Sequence, residues 1–196
     1  MAITGDVLPT LIFFNEEEAR IIEAIAARII PGDPGNPGAK EAEAVIYIDR
    51  ALAGFFSHLQ TFYREGIADF DRTSRSRFGC AFVDLDESRQ DEFLRSIEGA
   101  LEQRSIEGAL RDSRAGRLSQ FFAVVYQHTL EGTFGDPIYG GNRDAIGWKI
   151  LGFPGAQWSY TAEQMRLGFD ASQIDIATLG DLRPQTNLSI KEGAKE

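Results

Sequence analysis

Residues 44–59 read AVIYIDRALAGFFSHL, and six large apolar side chains in them recur at the three- and four-residue spacing of an α-helix. These six are Val45, Ile48, Leu52, Phe55, Phe56 and Leu59. The charged residues Glu41, Glu43, Asp49 and Arg50 lie largely off this stripe, so one helix face meets a core and the other meets solvent. Helical periodicity resumes or continues to about Arg77, where Gly79 can supply a left-handed cap.

Another helix is predicted upstream of this segment. Asn15 is a good N-cap, and Glu18 stands three residues later, which completes a capping-box pattern. The apolar face that follows consists of Ile22, Ile25, Ala26 and Ile29. Pro31 and Gly32 end the helix, and residues 31–38, with three prolines and three glycines, are predicted to form an ordered turn or loop.

Downstream, Asp86 is predicted to cap a third helical segment that includes residues 93–97, and a fourth helix runs from about Arg117 to Glu131 and ends at Gly132. Between them the sequence RSIEGAL occurs twice, at residues 95–101 and 104–110. At about 100° per residue, an offset of nine residues would turn the second copy to the opposite side of one unbroken helix. We interpret the repeat as a local duplication, accommodated as a longer helix end or as a loop.

The character of the sequence changes after the fourth helix. Residues 132–160 are rich in Gly, Pro and aromatic residues, and residues 170–196 read as an irregular polar tail. We therefore predict a mostly α protein with a single domain over residues 1–196. Its helical bundle spans about residues 15–131, a long ordered loop region spans about 132–160, and an irregular C-terminal tail spans about 170–196.

Charge and hydropathy argue against nucleic acid as a partner and against a segment that spans a membrane. The formal net charge is −10, so a nucleic-acid backbone would be repelled over most of the surface. No apolar run approaches the roughly 20 residues that span a bilayer, which predicts no transmembrane segment. The first fourteen residues contain no Lys or Arg, so no signal peptide is visible, and either the protein stays in the cytoplasm or a targeting segment has been removed.

The residue inventory argues against a cofactor in this chain. Iron–sulfur clusters need several thiolates, and a c-type haem needs two, whereas Cys80 is the only cysteine. No two glycines have the G-x-G spacing of a dinucleotide site. Two histidines cannot form a three-histidine zinc site, and neither follows a Glu at Glu-x-x-His spacing. We expect His58 and His128 to be structural and Cys80 to be a buried, inert thiol.

A candidate binding surface lies in the Gly-, Pro- and aromatic-rich stretch. Turns built by Gly and Pro expose backbone groups, and aromatic side chains on turns are typical of binding surfaces. An equally open alternative is that this loop wraps the helices and that its aromatic side chains close the core. The candidate partner-binding residues are Phe134, Asp136, Pro137, Tyr139, Gly140, Gly141, Asn142, Trp148, Phe153, Pro154, Gly155 and Trp158.

Several blocks of this sequence resemble the gluconate 2-dehydrogenase subunit 3 family, over roughly residues 15–160. The first blocks are IIPGD (29–33), PGA (37–39), VIYID (45–49), Phe82 with Leu85, and Phe121-Phe122 with Thr129 and GTFGDP (132–137). The specific blocks are YGGN (139–142) with Trp148, and FPGA (153–156).

The resemblance implies a non-catalytic small subunit of a membrane-associated or periplasmic dehydrogenase. Its large partner would resemble the glucose–methanol–choline (GMC) oxidoreductases, hold FAD and oxidise gluconate, a related sugar or a glycoside. In many such complexes a cytochrome c subunit takes the electrons. The small subunit is expected to support the folding, stability or export of its partner. Family members often begin with a twin-arginine export signal, and this chain has no two adjacent arginines near its start.

Two other functions stay open at this point. The chain could be a stand-alone helical enzyme acting on carbohydrates, with Asp136, Tyr139, Asn142 and Trp148 lining its own pocket. It could also be a transient secretion chaperone that leaves its client after delivery. A lone enzyme would turn over sugars without a partner, whereas a transient chaperone would not persist in a purified complex.

Overall fold

A computed structural model of the chain describes residues 10–104 and 114–182. The prediction of a mostly α protein is confirmed, since the described residues contain helices and no β-strand. The helices are α1 (Glu16–Ile29), α2 (Ala44–Ala53), α3 (Gln60–Phe78), α4 (Glu87–Arg104), α5 (Arg114–Phe134), α6 (Ile146–Leu151) and α7 (Leu179–Leu182). None of these helices is long and apolar enough to cross a membrane.

Helix α5 lies at the centre of the bundle and packs against α1, α2, α3 and α4. The core between them is formed by aliphatic and aromatic side chains from all five helices. Its largest fully buried members include Tyr63, Phe70, Phe82, Phe93 and Phe121. Burying such rings supplies most of the driving force for folding, because each removes a large apolar area from water.

The predicted start and end of α1 are confirmed. Asn15 and Glu18 form the capping box: Asn15 Oδ1 accepts from the Glu18 N–H at 2.9 Å, and Glu18 Oε2 accepts from the Asn15 N–H at 3.0 Å. The helix ends at Ile29, two residues before Pro31. The following loop is ordered, with a backbone bridge between Asp33 and Asn36.

The prediction of one helix through residues 44–59 is wrong. Helix α2 ends at Ala53, the chain turns at Gly54, a 3₁₀ turn spans Ser57–Leu59, and only then does α3 begin. The turn is closed by the Phe56 N–H, which donates to the Ala51 carbonyl at 2.7 Å. Because the stripe is broken here, Phe55 points to solvent instead of the core.

Asp49 also departs from the prediction, which placed it off the core-facing stripe. Its carboxylate is buried, with 1% of the residue exposed, and accepts three backbone hydrogen bonds. The donors are the N–H groups of Ile12, Phe13 and Phe14, at 2.7, 2.9 and 2.8 Å. A buried carboxylate needs such donors to offset its lost hydration, so Asp49 ties the segment before α1 to α2.

The predicted caps of α3 and α4 are confirmed. Gly79 takes the left-handed conformation at the end of α3, with φ of 83°, and Asp86 Oδ1 accepts from the Arg89 N–H at 2.9 Å. The predicted end of the fourth helix at Gly132 is wrong, because α5 continues to Phe134. A Cβ at Gly132 would meet the Ala44 carbonyl oxygen, so this glycine lets α2 approach α5 closely. The second RSIEGAL copy lies almost wholly outside the described residues.

The region after α5 is more regular than predicted. Within residues 132–160 it contains helix α6 and two 3₁₀ turns, Pro137–Tyr139 and Arg143–Ala145. The described part of the tail contains a third 3₁₀ turn, Ala171–Gln173, and the short helix α7. Residues 183–196 lie outside the described part of the chain.

Candidate partner-binding site

The loop after α5 is held in place by the buried side chain of Asn142. Its Nδ2 donates to the Gly135 carbonyl at 2.7 Å, and its Oδ1 accepts from the Gly147 N–H at 2.7 Å. The backbone N–H of Asn142 donates to the Gly132 carbonyl at 2.6 Å. Because the carboxamide uses its donor and its acceptor together, it fixes the end of α5 and the start of α6 relative to each other.

The backbone around Asn142 is strained. Asn142, Asp144 and Ala145 have φ values of 47°, 53° and 55°, in the left-handed region that favours glycine. Each such residue costs on the order of 1 kcal/mol and persists only where its surroundings impose the conformation. The contacts of this loop with the helices therefore determine its shape.

Gly141 allows the loop to lie directly on the helices. A Cβ at this position would overlap the carbonyl oxygen of Gly132 in α5 and would come within 2.9 Å of Tyr47 Cβ in α2. No residue other than glycine fits without moving backbone. Gly141 and Asn142 of the YGGN block are thus explained by packing within this chain.

Trp148 in α6 closes one end of the loop region. It is buried, its Nε1 donates to the Phe134 carbonyl at 2.7 Å, and the ring of Phe153 packs edge-on against it at 5.3 Å. A Cβ at Gly155 would meet the Trp148 ring, so the FPGA block also serves this packing. Phe153 itself keeps much of its ring exposed.

Asp136 holds a short turn that projects outward. Its Oδ1 accepts from the Ile138 N–H at 2.9 Å and caps the 3₁₀ turn Pro137–Tyr139, while its Oδ2 accepts from the Leu179 N–H at 2.8 Å. Ile138 and Tyr139 are exposed on this turn. Two large apolar side chains are thereby presented to solvent on a backbone fixed from both sides.

A groove of about 620 Å³ lies between this turn and the end of α2. Most of its lining is apolar or aromatic, with one guanidinium and one carboxylate. The lining residues are Tyr47, Arg50, Ala51, Phe55, Phe56, Glu131, Ile138 and Tyr139. An open groove of this composition is suited to apolar side chains from another molecule.

Two polar groups of the groove, the Tyr47 hydroxyl and the Glu131 carboxylate, are paired with each other. Glu131 accepts from the Tyr47 hydroxyl at 2.7 Å and from Gln127 Nε2 at 2.9 Å. Burial, together with the Glu131 carboxylate, raises the pKa of Tyr47. Its phenol therefore stays protonated at neutral pH and serves as a hydrogen-bond donor, which is a positioning role within the wall of the groove.

Below the groove, His128 is part of the core. Phe56 stacks on its ring at 4.5 Å, and the Tyr63 hydroxyl lies 2.8 Å from Nδ1. Burial lowers the pKa of His128 and raises the pKa of Tyr63, so a neutral imidazole and a neutral phenol share this hydrogen bond. This geometry agrees with the structural role predicted for His128, whereas His58 is exposed and Cys80 is only half-buried.

The structure divides the predicted site residues into three groups. The exposed ones are Tyr139, Phe153 and Trp158; the half-buried ones are Phe134, Asp136, Pro137 and Gly140; the buried ones are Gly141, Asn142, Trp148, Pro154 and Gly155. The alternative in which the loop closes the core therefore describes Trp148. The alternative of a binding surface describes the three aromatic side chains that face solvent.

The pocket expected for a stand-alone enzyme is not assembled in the groove. Of its four proposed lining residues, only Tyr139 lines the groove, while Asn142 and Trp148 are buried and hydrogen-bonded within the fold. Among residues 10–104 and 114–182, no three His, Cys, Asp or Glu side chains come together as metal ligands.

Sequence reasoning missed Phe55, Tyr47 and Ile138 as groove residues. For Phe55 a signal was present, because Gly54 interrupts the apolar stripe and glycine is a poor helix former. Tyr47 and Ile138 carried no such signal, since their position in the groove depends on how the loop after α5 folds back onto α2.

Comparison with known families identifies a match over most of this chain. The family described as gluconate 2-dehydrogenase subunit 3 matches residues 16–155, which include α1 to α6. No curated protein and no solved structure matches the chain. The match ends at Gly155, so the described residues 156–182 lie outside the matched region.

Proposed function

Since this chain belongs to the gluconate 2-dehydrogenase subunit 3 family, whose members are small subunits of a dehydrogenase complex, we propose that it binds and stabilises the large subunit of that complex. In this proposal the large subunit is an FAD-dependent, GMC-type dehydrogenase that oxidises gluconate, a related sugar or a glycoside. The present chain contributes binding surface and no catalytic residue or cofactor. A cytochrome c subunit accepts the electrons, and the complex works in the periplasm or at the cell envelope.

The observation that carries the proposal is the distribution of exposed apolar side chains. Among the described residues, ten of the fourteen large exposed apolar side chains lie between residues 138 and 179. Those between residues 138 and 153 lie on a backbone held by Asn142, Asp136 and Trp148. Clustered apolar side chains on a rigid frame are typical of protein–protein interfaces, because little conformational freedom is lost on binding.

Purification of the complex from the source organism, through a tag on this chain, tests the proposal. We expect the chain to co-purify with a yellow flavoprotein that oxidises gluconate, or a related sugar or glycoside, when an artificial electron acceptor is added. The complex should persist on dilution, which a transient chaperone would not do. Turnover of the sugar by the isolated chain, or flavin bound to that chain alone, would overturn the proposal.

The groove is tested by Tyr139→Ala, with Tyr126→Ala as the matched control. Both tyrosines are exposed, at 57% and 46%, but Tyr126 lies beside Phe122 on another face of α5 and away from the groove. Removing an interface tyrosine costs on the order of 1–2 kcal/mol, so we expect Tyr139→Ala to weaken binding of the large subunit about tenfold. Equal affinities of the two variants would show that the groove does not bind the large subunit.

A further inference from the structure

Residues 156–182 are here called the C-terminal arm. The arm leaves the bundle after Gly155 and contacts the same place again at Ala177. The Ala156 N–H donates to the Ala177 carbonyl at 2.7 Å, and the Ala177 N–H donates to the Pro154 carbonyl at 3.1 Å. Gln157 Nε2 bonds the carbonyls of Pro154 and Asp175, at 2.9 and 3.0 Å. The two ends of the arm are thus joined at its base.

The arm is also ordered between these ends, by its own polar side chains. Thr161 and Gln164 bond each other's backbone N–H groups, at 3.2 and 2.8 Å. The Met165 N–H donates to the Thr161 carbonyl at 3.1 Å, and Asp170 accepts from the Ser172 N–H at 3.0 Å. A compact surface loop with joined ends and internal hydrogen bonds is a common carrier of function.

Several large apolar side chains of the arm are exposed to solvent, whereas Phe169, Ile174 and Ile176 are half-buried. Trp158 is 78% exposed, Leu167 is fully exposed, and Tyr160 and Met165 are also exposed. Hydration of these groups is unfavourable, because the transfer of a large apolar side chain from water to a buried contact is favourable. An ordered loop that keeps five of them in water, Leu179 included, gains this burial only by contact with another molecule.

The arm is continuous with the groove described above. Leu179 of the arm donates its N–H to Asp136, the residue that caps the turn carrying Ile138 and Tyr139. The base of the arm also adjoins Gly155, which packs on Trp148. A partner seated in the groove would therefore be close to the base of the arm.

We propose that the C-terminal arm grips an apolar surface of the large dehydrogenase subunit, as a second contact beside the groove. This inference rests on the proposed function. The arm carries four carboxylates and one guanidinium, a net charge of −3, so the rim of the surface that receives it is basic. Because the arm follows the region shared with the family, it adds contacts beyond those that the shared region can make.

The test is the affinity of the purified large subunit for the variant Trp158→Ala/Leu167→Ser. The matched control is Tyr126→Ala/Val83→Ala, which also removes one aromatic and one aliphatic exposed side chain. Loss of interface hot spots weakens binding by 2 kcal/mol or more, so we expect at least about 30-fold weaker binding for the arm variant and no change for the control. The melting temperature of the isolated arm variant should equal that of the wild type.

The outcomes separate this inference from the proposed function. If Tyr139→Ala weakens the complex and the arm variant binds like the wild type, the arm inference is overturned and the proposed function stands. If the wild-type chain forms no complex with a flavoprotein, both fail. If the isolated chain dimerises and the arm variant is monomeric, the arm contacts a second copy and the assignment to the large subunit is wrong. Slower hydrogen exchange at residues 158–168 in the complex supports the inference.

Discussion

Replacement of Asp49 by alanine should destabilise the protein more than most substitutions of a single acidic residue. The carboxylate accepts backbone hydrogen bonds from Ile12, Phe13 and Phe14, and the alanine methyl group can accept none. Ile12 is 66% exposed, so its N–H can return to water, whereas Phe14 is 5% exposed and its N–H cannot. Removal of the acceptor therefore leaves buried donors without partners.

The expected loss in the free energy of unfolding comes from the two less exposed N–H donors, those of Phe13 and Phe14. A hydrogen bond to a charged group contributes about 1.5–3 kcal/mol, and partial entry of water favours the lower end of this range. We expect Asp49→Ala to lower the free energy of unfolding by about 3–4 kcal/mol. Asp49→Asn retains one acceptor oxygen but turns an amide N–H toward a backbone N–H, so we expect roughly half of that loss.

Urea denaturation of the isolated chain, followed by helical circular dichroism, measures these changes. With a slope of about 2 kcal/mol per molar urea, the midpoint for Asp49→Ala should fall by about 1.5–2 M. The exposed carboxylate of Asp175 provides the control, and Asp175→Ala should leave the midpoint unchanged. A loss below about 1 kcal/mol for Asp49→Ala, or undiminished hydrogen-exchange protection of the Phe14 amide, would refute the reasoning.

Two further predictions concern the loop region and the core. Gly141→Ala should lower the free energy of unfolding by about 2 kcal/mol because its methyl group overlaps the Gly132 carbonyl oxygen; a urea midpoint equal to that of Gly35→Ala, in an exposed loop, would contradict this. Burial lowers the pKa of His128 below its ordinary 6.5, so the unfolded chain binds more protons and stability falls as the pH drops through 6.5. We expect a slope of up to about 1.4 kcal/mol per pH unit that His128→Phe removes, and equal slopes for both proteins would be evidence against it.

The helices were largely predictable because their signals are local. The capping box at Asn15, the glycine cap at Gly79 and the cap at Asp86 each involve residues only a few positions apart in the chain. Apolar periodicity reports the same short-range geometry. Two of the errors in helix boundaries occurred at glycines, Gly54 and Gly132, because glycine ends one helix and allows close helix packing in another.

The candidate site was predictable as a region of the chain but not as a surface. Of the candidate residues between 134 and 158, Asn142 and Trp148 are buried, while Ile138, which was not selected, is exposed. Loops have no fixed period, so the sequence does not indicate which of their side chains point inward. Phe55 became part of the groove only because α2 ends early.

By itself, the sequence determined the helical class, the main caps, the place of the aromatic loop after the last long helix and the family resemblance, because each depends on nearby residues. Only the tertiary structure decided that Asp49 is a buried acceptor, since its three donors lie 35 to 37 residues away along the chain. It likewise decided which aromatic rings close the core and which face solvent. Burial is a property of contacts between distant segments, and these contacts exist only once the chain is folded.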